Sequence, residues 1–152
     1  RKLGIGMSAV QHAVSELGHV EHRLEMKLHR DMVLIDDAFN ANPEGAAAAC
    51  DVLAQMPGWR ILVTPGMIDL GEQQEQFNRC LGTHAAGCAD EVILVGGKQV
   101  QPLRQGLLEG GFDEDRIGQV MTMQEAFACF EQSPHADKVV LIENDVPDVL
   151  NR

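Results

Sequence analysis

The chain has 152 residues, 45% of them hydrophobic, a size and composition that fit one globular domain with a real core and exclude a disordered chain. Acids outnumber bases 23 to 12, a net charge of −11, which argues against nucleic acid or an anionic membrane as partner. No apolar run approaches the roughly 20 residues of a membrane span, and no signal-peptide pattern follows Arg1.

The predicted elements follow in order. Residues Lys2 to Leu17 read as a helix with an imperfect apolar face of Ile5, Val10, Ala13, Val14 and Leu17, ended by Gly18. His22 to Leu28 alternates, with Leu24, Met26 and Leu28 on one face, which predicts a half-buried strand. The polar turn His29-Arg30-Asp31-Met32 predicts an antiparallel hairpin. Its second strand carries Val33, Leu34 and Ile35, apolar as a central strand requires, and stops at Asp36-Asp37.

A strict alternation then begins. Asn42 is a strong N-cap and Pro43 suits the first turn of a helix running to Met56. Strand Arg60 to Val63, helix Gln73 to Ala86, strand Glu91 to Val95 and helix Gln99 to Glu109 follow. A short strand Ile117 to Val120, helix Met123 to Gln132 and strand Lys138 to Ile142 close the series. Strand–helix alternation with short, Gly- and Pro-marked links predicts an α/β fold. It is Rossmann-like: a mostly parallel sheet flanked by helices, preceded by the hairpin and the leading helix. Cys50, Cys80, Cys88 and Cys129 are assigned to helices without a C-x-x-C spacing, and are expected as buried or half-buried free thiols of a cytoplasmic protein. Because it begins on Arg1 and not Met, the chain reads as a piece of a longer or processed protein.

In such sheets, functional polar groups lie just past strand C-termini. Five places qualify: Asp36 to Asn42, Thr64 to Glu72, Gly96 to Gln99, Met121-Thr122, and Glu143-Asn144-Asp145. Asp36 and Asp37 suit a metal, a ribose or a phosphoryl group, or else cap their own loop. Asn40 and Asn42 both donate and accept, which suits recognition better than acid–base work. Thr64 and Asp69, in a loop bracketed by Gly66 and Gly71, are candidates to face a ligand or simply to connect strand to helix. An anionic ligand needs a local cation, for which Arg23, Arg60, Lys98 and the helix N-termini are available. Gly96-Gly97-Lys98 lacks the frame of a phosphate-binding P-loop, and His19-x-x-His22 lacks the further ligands a zinc site needs, so no metal is assigned.

Three blocks carry a resemblance to a known family. They are Glu21-His22-Arg23-Leu24-Glu25, then Asp36-Asp37-Ala38-Phe39-Asn40-Ala41-Asn42-Pro43, then Gly66-Met67-Ile68-Asp69-Leu70-Gly71. In order and spacing the chain resembles the C-terminal domain of the Mur ligases. The resemblance implies that residues 1–20 are a linker helix from a preceding central domain and that 21–152 form the Mur ligase C-terminal domain. It implies a three-domain, ATP-dependent amide-forming enzyme of peptidoglycan synthesis, adding a D-alanyl-D-alanine-type dipeptide to a UDP-MurNAc-peptide. The P-loop, the Mg2+ ligands and the ATPase chemistry belong to the central domain. The C-terminal domain closes over ATP and the incoming amine, and alone it has no catalytic residue and no activity. By position, Arg23 would contact the ATP phosphates or ribose, and Asp37, or alternatively Asp36, the ribose. Asn40 and Asn42 would lie near the γ-phosphate or the dipeptide.

The chain departs from the family pattern in the third block. The family usually reads Gly-Asp-Met-x-Glu-Leu-Gly with a later His, where this chain has Met67-Ile68-Asp69 and Asn78. A paralogue with a different amine substrate, and a non-catalytic small-molecule binding domain, are the alternatives. A phospho-acceptor receiver also starts with a strand ending in two acids, but it requires an Asp where this chain has Thr64.

Overall fold

The computed structural model describes residues 4–18, 20–39 and 41–144. Six strands form one sheet: β1 (Glu25–His29), β2 (Met32–Asp37), β3 (Trp59–Thr64), β4 (Glu91–Val95), β5 (Ile117–Val120) and β6 (Lys138–Glu143). Their order is β1-β2-β6-β3-β4-β5. Only β1 and β2 are antiparallel, joined through Arg30 and Asp31; every other neighbouring pair is parallel. This is the predicted architecture. Arg30 takes φ 55°, the left-handed conformation a two-residue hairpin turn demands.

Five α-helices accompany the sheet: α1 (Met7–Ser15), α2 (Pro43–Ala54), α3 (Gln74–Ala85), α4 (Gln101–Glu109) and α5 (Met123–Gln132). Helices α2, α3 and α4 pack on one face through residues such as Ala49, Leu53, Leu81, Leu103 and Leu107, against Ile35, Leu62, Leu94 and Leu141. Helix α5 alone covers the other face, with Ala126 and Phe130 against Leu34, Ile61, Val63 and Ile142. The chain crosses to that second face between β5 and β6, and the return inserts β6 between β2 and β3. As the central strand, β6 is buried along its whole length. Even Lys138 is buried: its ammonium donates to the carbonyls of Phe130, Glu131 and Ser133 and so closes the C-terminal end of α5. At the other end of α5, Thr122 and Glu125 form a capping box.

Three expectations are corrected. The leading helix covers Met7–Ser15, with Gly4 to Gly6 outside it, and buries none of its residues, so its apolar stripe is unpartnered within the described chain. Strand β1 starts at Glu25, because His22 and Leu24 take positive φ values of 59° and 47° and cannot extend the ladder. Its apolar face is not half-buried: Met26 is 53% and Leu28 85% exposed, since β1 is an edge strand. Finally, Cys80 and Cys129 are exposed and Cys88 lies in the turn beyond α3; all four cysteines are free.

Helices α3 and α4 approach closely because glycines face each other. A Cβ on Gly82 would lie 2.1 Å from the Leu103 carbonyl oxygen, and one on Gly106 2.0 Å from that of Arg79. Gly106→Ala is therefore expected to destabilise the domain by about 1–3 kcal/mol through overpacking, despite the roughly 1 kcal/mol by which alanine favours an isolated helix. Urea unfolding of the two proteins, with an unchanged denaturant slope, measures this.

Candidate functional site

Adjacent side chains on a strand point to opposite faces, and this divides the two acids that end β2. Asp36 turns toward the α5 side, where it borders a hollow with Leu34, Phe127 and Ile142. There it is fully engaged. Lys27 Nζ lies 2.9 Å and His22 Nδ1 3.0 Å from Oδ2, and the Ala38 amide donates to Oδ1 at 3.2 Å. Burial works to raise the Asp36 pKa, but Lys27, the Ala38 amide and His22 outweigh it and hold the group below its ordinary value. Asp36 is a brace between β1 and β2.

Asp37 turns the other way. It borders a cavity of about 230 Å3 at the C-terminal edge of the sheet, walled by Arg23, Asp37, Phe39, Asn42, Gly45 and Glu143. The Leu24 amide donates to Asp37 Oδ1 at 3.0 Å, which ties the Arg23 loop to the end of β2. The Arg23 guanidinium stacks over the Phe39 ring at 4.2 Å. Phe39 is itself half exposed, so this pair forms an outer lip of the cavity. Arg23 is in no ion pair among the described residues and keeps its donors available. Asn42 caps α2 as predicted, its Oδ1 accepting from Gly45 N at 2.8 Å. The positive end of α2 thus adds to the guanidinium at one rim.

The structure therefore brings together Arg23, Asp37 and Asn42, and sets Asp36 apart. Asn40 lies outside the described residues. Thr64 is not at the surface. It is fully buried, donates to Glu143 Oε2 at 3.1 Å and accepts from Gly66 N at 2.9 Å. Asp69 is exposed on the next loop, with φ 62°, and does not line the cavity. Arg60 is bound by Asp90 through Nε and Nη2 at 2.8 and 2.9 Å, and so is not the cation of this site. Lys98 belongs to a different hollow, beside α4.

Two residues have roles that sequence reading did not assign. Asn78, in the place of the family's later His, is buried and holds the strand-to-helix loop through both Met67 N and Met67 O at 2.8 Å. Gly66 has no room for a side chain beneath it: a Cβ would lie 2.6 Å from Asn78 Oδ1. Glu143 ends β6 directly beside Asp37 in the parallel register. It is 1% exposed, yet Oε1 has no hydrogen-bond partner among the described residues. Burial pushes its pKa up to about 7; the Thr64 hydroxyl opposes that and the Asp37 charge adds to it. The signal in the sequence was its place at a strand end, but nothing there shows which neighbours it meets.

Among the described residues one further donor group occurs: Asp51, His84 and Cys88, whose ligand atoms all lie within 4.8 Å of one another. His84 Nε2 contacts Asp51 Oδ1 at 2.8 Å, joining α2 to α3. It shares no residue with the cavity. No helix among the described residues is long and apolar enough to cross a membrane.

Comparison with known proteins decides the family. The family described as Mur ligase, glutamate ligase domain, matches residues 22–146. The chain belongs to the Mur ligase C-terminal domain family. The UDP-N-acetylmuramoyl-tripeptide–D-alanyl-D-alanine ligase of Escherichia coli K12 is 35% identical over 98 residues, 64% of this chain and 22% of that protein. Its Bacillus subtilis counterpart is 23% identical over 143 residues, 92% of this chain and 31% of that protein. The chain thus spans less than a third of these relatives. Among solved structures, MurF from Acinetobacter baumannii superposes with a TM-score of 0.72 at 20% identity, covering 99% of this chain and 34% of that one. MurF from Thermotoga maritima, solved with ADP, superposes with a TM-score of 0.73 at 18% identity, covering 94% and 34%. Both show the Mur ligase C-terminal fold.

Glu143 makes the stability of this Mur ligase domain depend on pH. The unfolded carboxyl loses its proton near 4.5, whereas the folded one keeps it to about 7. The native state therefore binds more protons in that window, and stability falls as pH rises through it. Glu143→Gln is expected to unfold like wild type near pH 4.5 and to be more stable at pH 8 by about 3 kcal/mol, the worth of that shift. Denaturant unfolding of both proteins across this range checks it.

Proposed function

We propose that this domain is the closing C-terminal part of an ATP-dependent amide-forming ligase. In full length the protein adds a D-alanyl-D-alanine-type dipeptide to a UDP-MurNAc-peptide in peptidoglycan synthesis, in the cytoplasm. The observation that carries the reading is the meeting of Arg23, Asp37 and Asn42 on one cavity wall at the C-terminal sheet edge. The names of the E. coli and B. subtilis relatives, and ADP in the T. maritima structure, support it.

The residues fit a nucleotide. Arg23 offers a guanidinium in no ion pair among the described residues, and its stacking on Phe39 orders it at little further entropic cost. Asp37 has one oxygen committed to Leu24 N and lines the cavity, and a carboxylate suits ribose hydroxyls where it would repel phosphates. Asn42 Oδ1 is used by the helix cap, which leaves its side-chain NH2 as a donor toward the γ-phosphate or the dipeptide. Phosphoryl transfer depends on positioning and charge neutralisation, and a cation on a mobile domain supplies both only on closure. Mg2+, the P-loop and the ATPase groups are assigned to the central domain, and residues 1–20, ahead of the family match, to the linker. Isolated, the domain has no ligase activity. A paralogue with another amine substrate is the second reading, favoured by Asn78 and the altered loop before it.

Arg23→Ala in the full-length protein is expected to lower ATP-dependent ligation on the order of 100-fold, while the domain loses less than about 1 kcal/mol of stability. Phosphate release with UDP-MurNAc-tripeptide and D-alanyl-D-alanine, paired with unfolding measurements, tests this. Equal loss of both would overturn the reading, and a panel of amines in the same assay separates the paralogue.

A further inference from the structure

We propose that Glu143 is the base that takes the proton from the incoming amine, through the oxygen Oε1 that has no partner among the described residues and belongs to the cavity wall shared with Asp37 and Arg23. The proposal rests on the amide-ligase reading above and adds the identity of a reacting group.

A buried carboxylate oxygen with no donor is costly, and a hydrophobic side chain at the centre of the sheet would avoid the cost. The rest of the group is held firmly. Oε2 accepts from Thr64, and Thr64 in turn accepts from Gly66 N, so the carboxylate cannot turn its free oxygen away without breaking that chain. Its backbone is fixed on both sides by β2 and β3. The charged and titratable groups around it are Asp37 from β2, Arg23 from the loop before β1, and Cys50 from α2, whose thiol is held neutral chiefly by burial. None of them satisfies Oε1. Glu143 is one of the residues that wall the cavity presenting Arg23 and Asp37.

The reaction needs such a group. An α-amine is an ammonium near neutral pH, its pKa being about 8, and without a lone pair it cannot attack. A base whose own pKa lies near neutrality is matched to that proton. In the step, one N–H proton passes to Glu143 Oε1, and the freed lone pair forms the C–N bond at the carbonyl carbon of the acyl phosphate. The C–O bond to phosphate breaks with its electron pair going to the leaving phosphate, which carries off the second N–H proton. The acyl phosphate comes from ATP and the substrate carboxylate.

The test uses the full-length protein, wild type and Glu143→Gln, with ATP and UDP-MurNAc-tripeptide. Each is supplied with D-alanyl-D-alanine or with hydroxylamine, a nucleophile already neutral at pH 7. The expected result is amide formation slowed by about 100- to 10,000-fold and loss of the rise in kcat through neutral pH. Hydroxamate formation should stay within about threefold of wild type. An unchanged amide rate and pH profile overturns the proposal. So does an equal fall of both products, which would make Glu143 a support for the acyl phosphate. If wild type forms neither product, the amide-ligase reading itself fails and the proposal goes with it. Unfolding of the variant at pH 8 excludes misfolding as the cause.

Discussion

The pairing of β2 with β6 sets two carboxylates, Asp37 and Glu143, side by side at the ends of adjacent parallel strands. Burial is the main cause that raises the Glu143 pKa, and the Asp37 charge adds to it. The two acids meet different surroundings. Asp37 is half-buried, takes the Leu24 amide and lines the cavity, whereas Glu143, buried in the wall of the same cavity, holds its proton to higher pH. Glu143 thereby becomes a group that exchanges a proton near neutrality. The surrounding features answer to that pair: the guanidinium of Arg23, the positive end of α2, and the hydroxyl of Thr64.

The loops at this edge are built to keep it still. Asn78 reaches from α3 to both backbone groups of Met67, and Asn144 Nδ2 donates to the Gly66 carbonyl at 2.8 Å. Thr64, Gly66, Asn78, Glu143 and Asn144 thereby form one connected support under the cavity floor. The outer lip differs in kind. Arg23 and Phe39 are exposed, and their segments include positive-φ residues at His22 and Leu24.

The β2–α2 segment was legible because its signals are local. Three apolar residues, two acids, a capping Asn and a Pro define strand, loop and helix start within about a dozen positions. The parallel strands were legible from alternation alone, to within a residue or two. The hairpin was legible in kind, but its apolar face was misjudged, because periodicity shows that residues share a face and not whether anything covers it. Likewise a cation such as Arg60 looks available in sequence, and only its distant partner Asp90 shows that it is spent.

By itself, then, the sequence determined the fold class, the edge of the sheet where function gathers, and the family motif around Asp36 to Pro43, since each follows from residues near one another in the chain. Tertiary structure alone decided that Asp36 braces β1 while Asp37 faces the cavity, that Thr64 is a support and not a ligand-facing group, and that Glu143 stands beside Asp37 from 106 positions away. The physical reason is that strand order is set by how crossovers cover both faces of the sheet, and side-chain neighbours across strands exist only once that order is fixed.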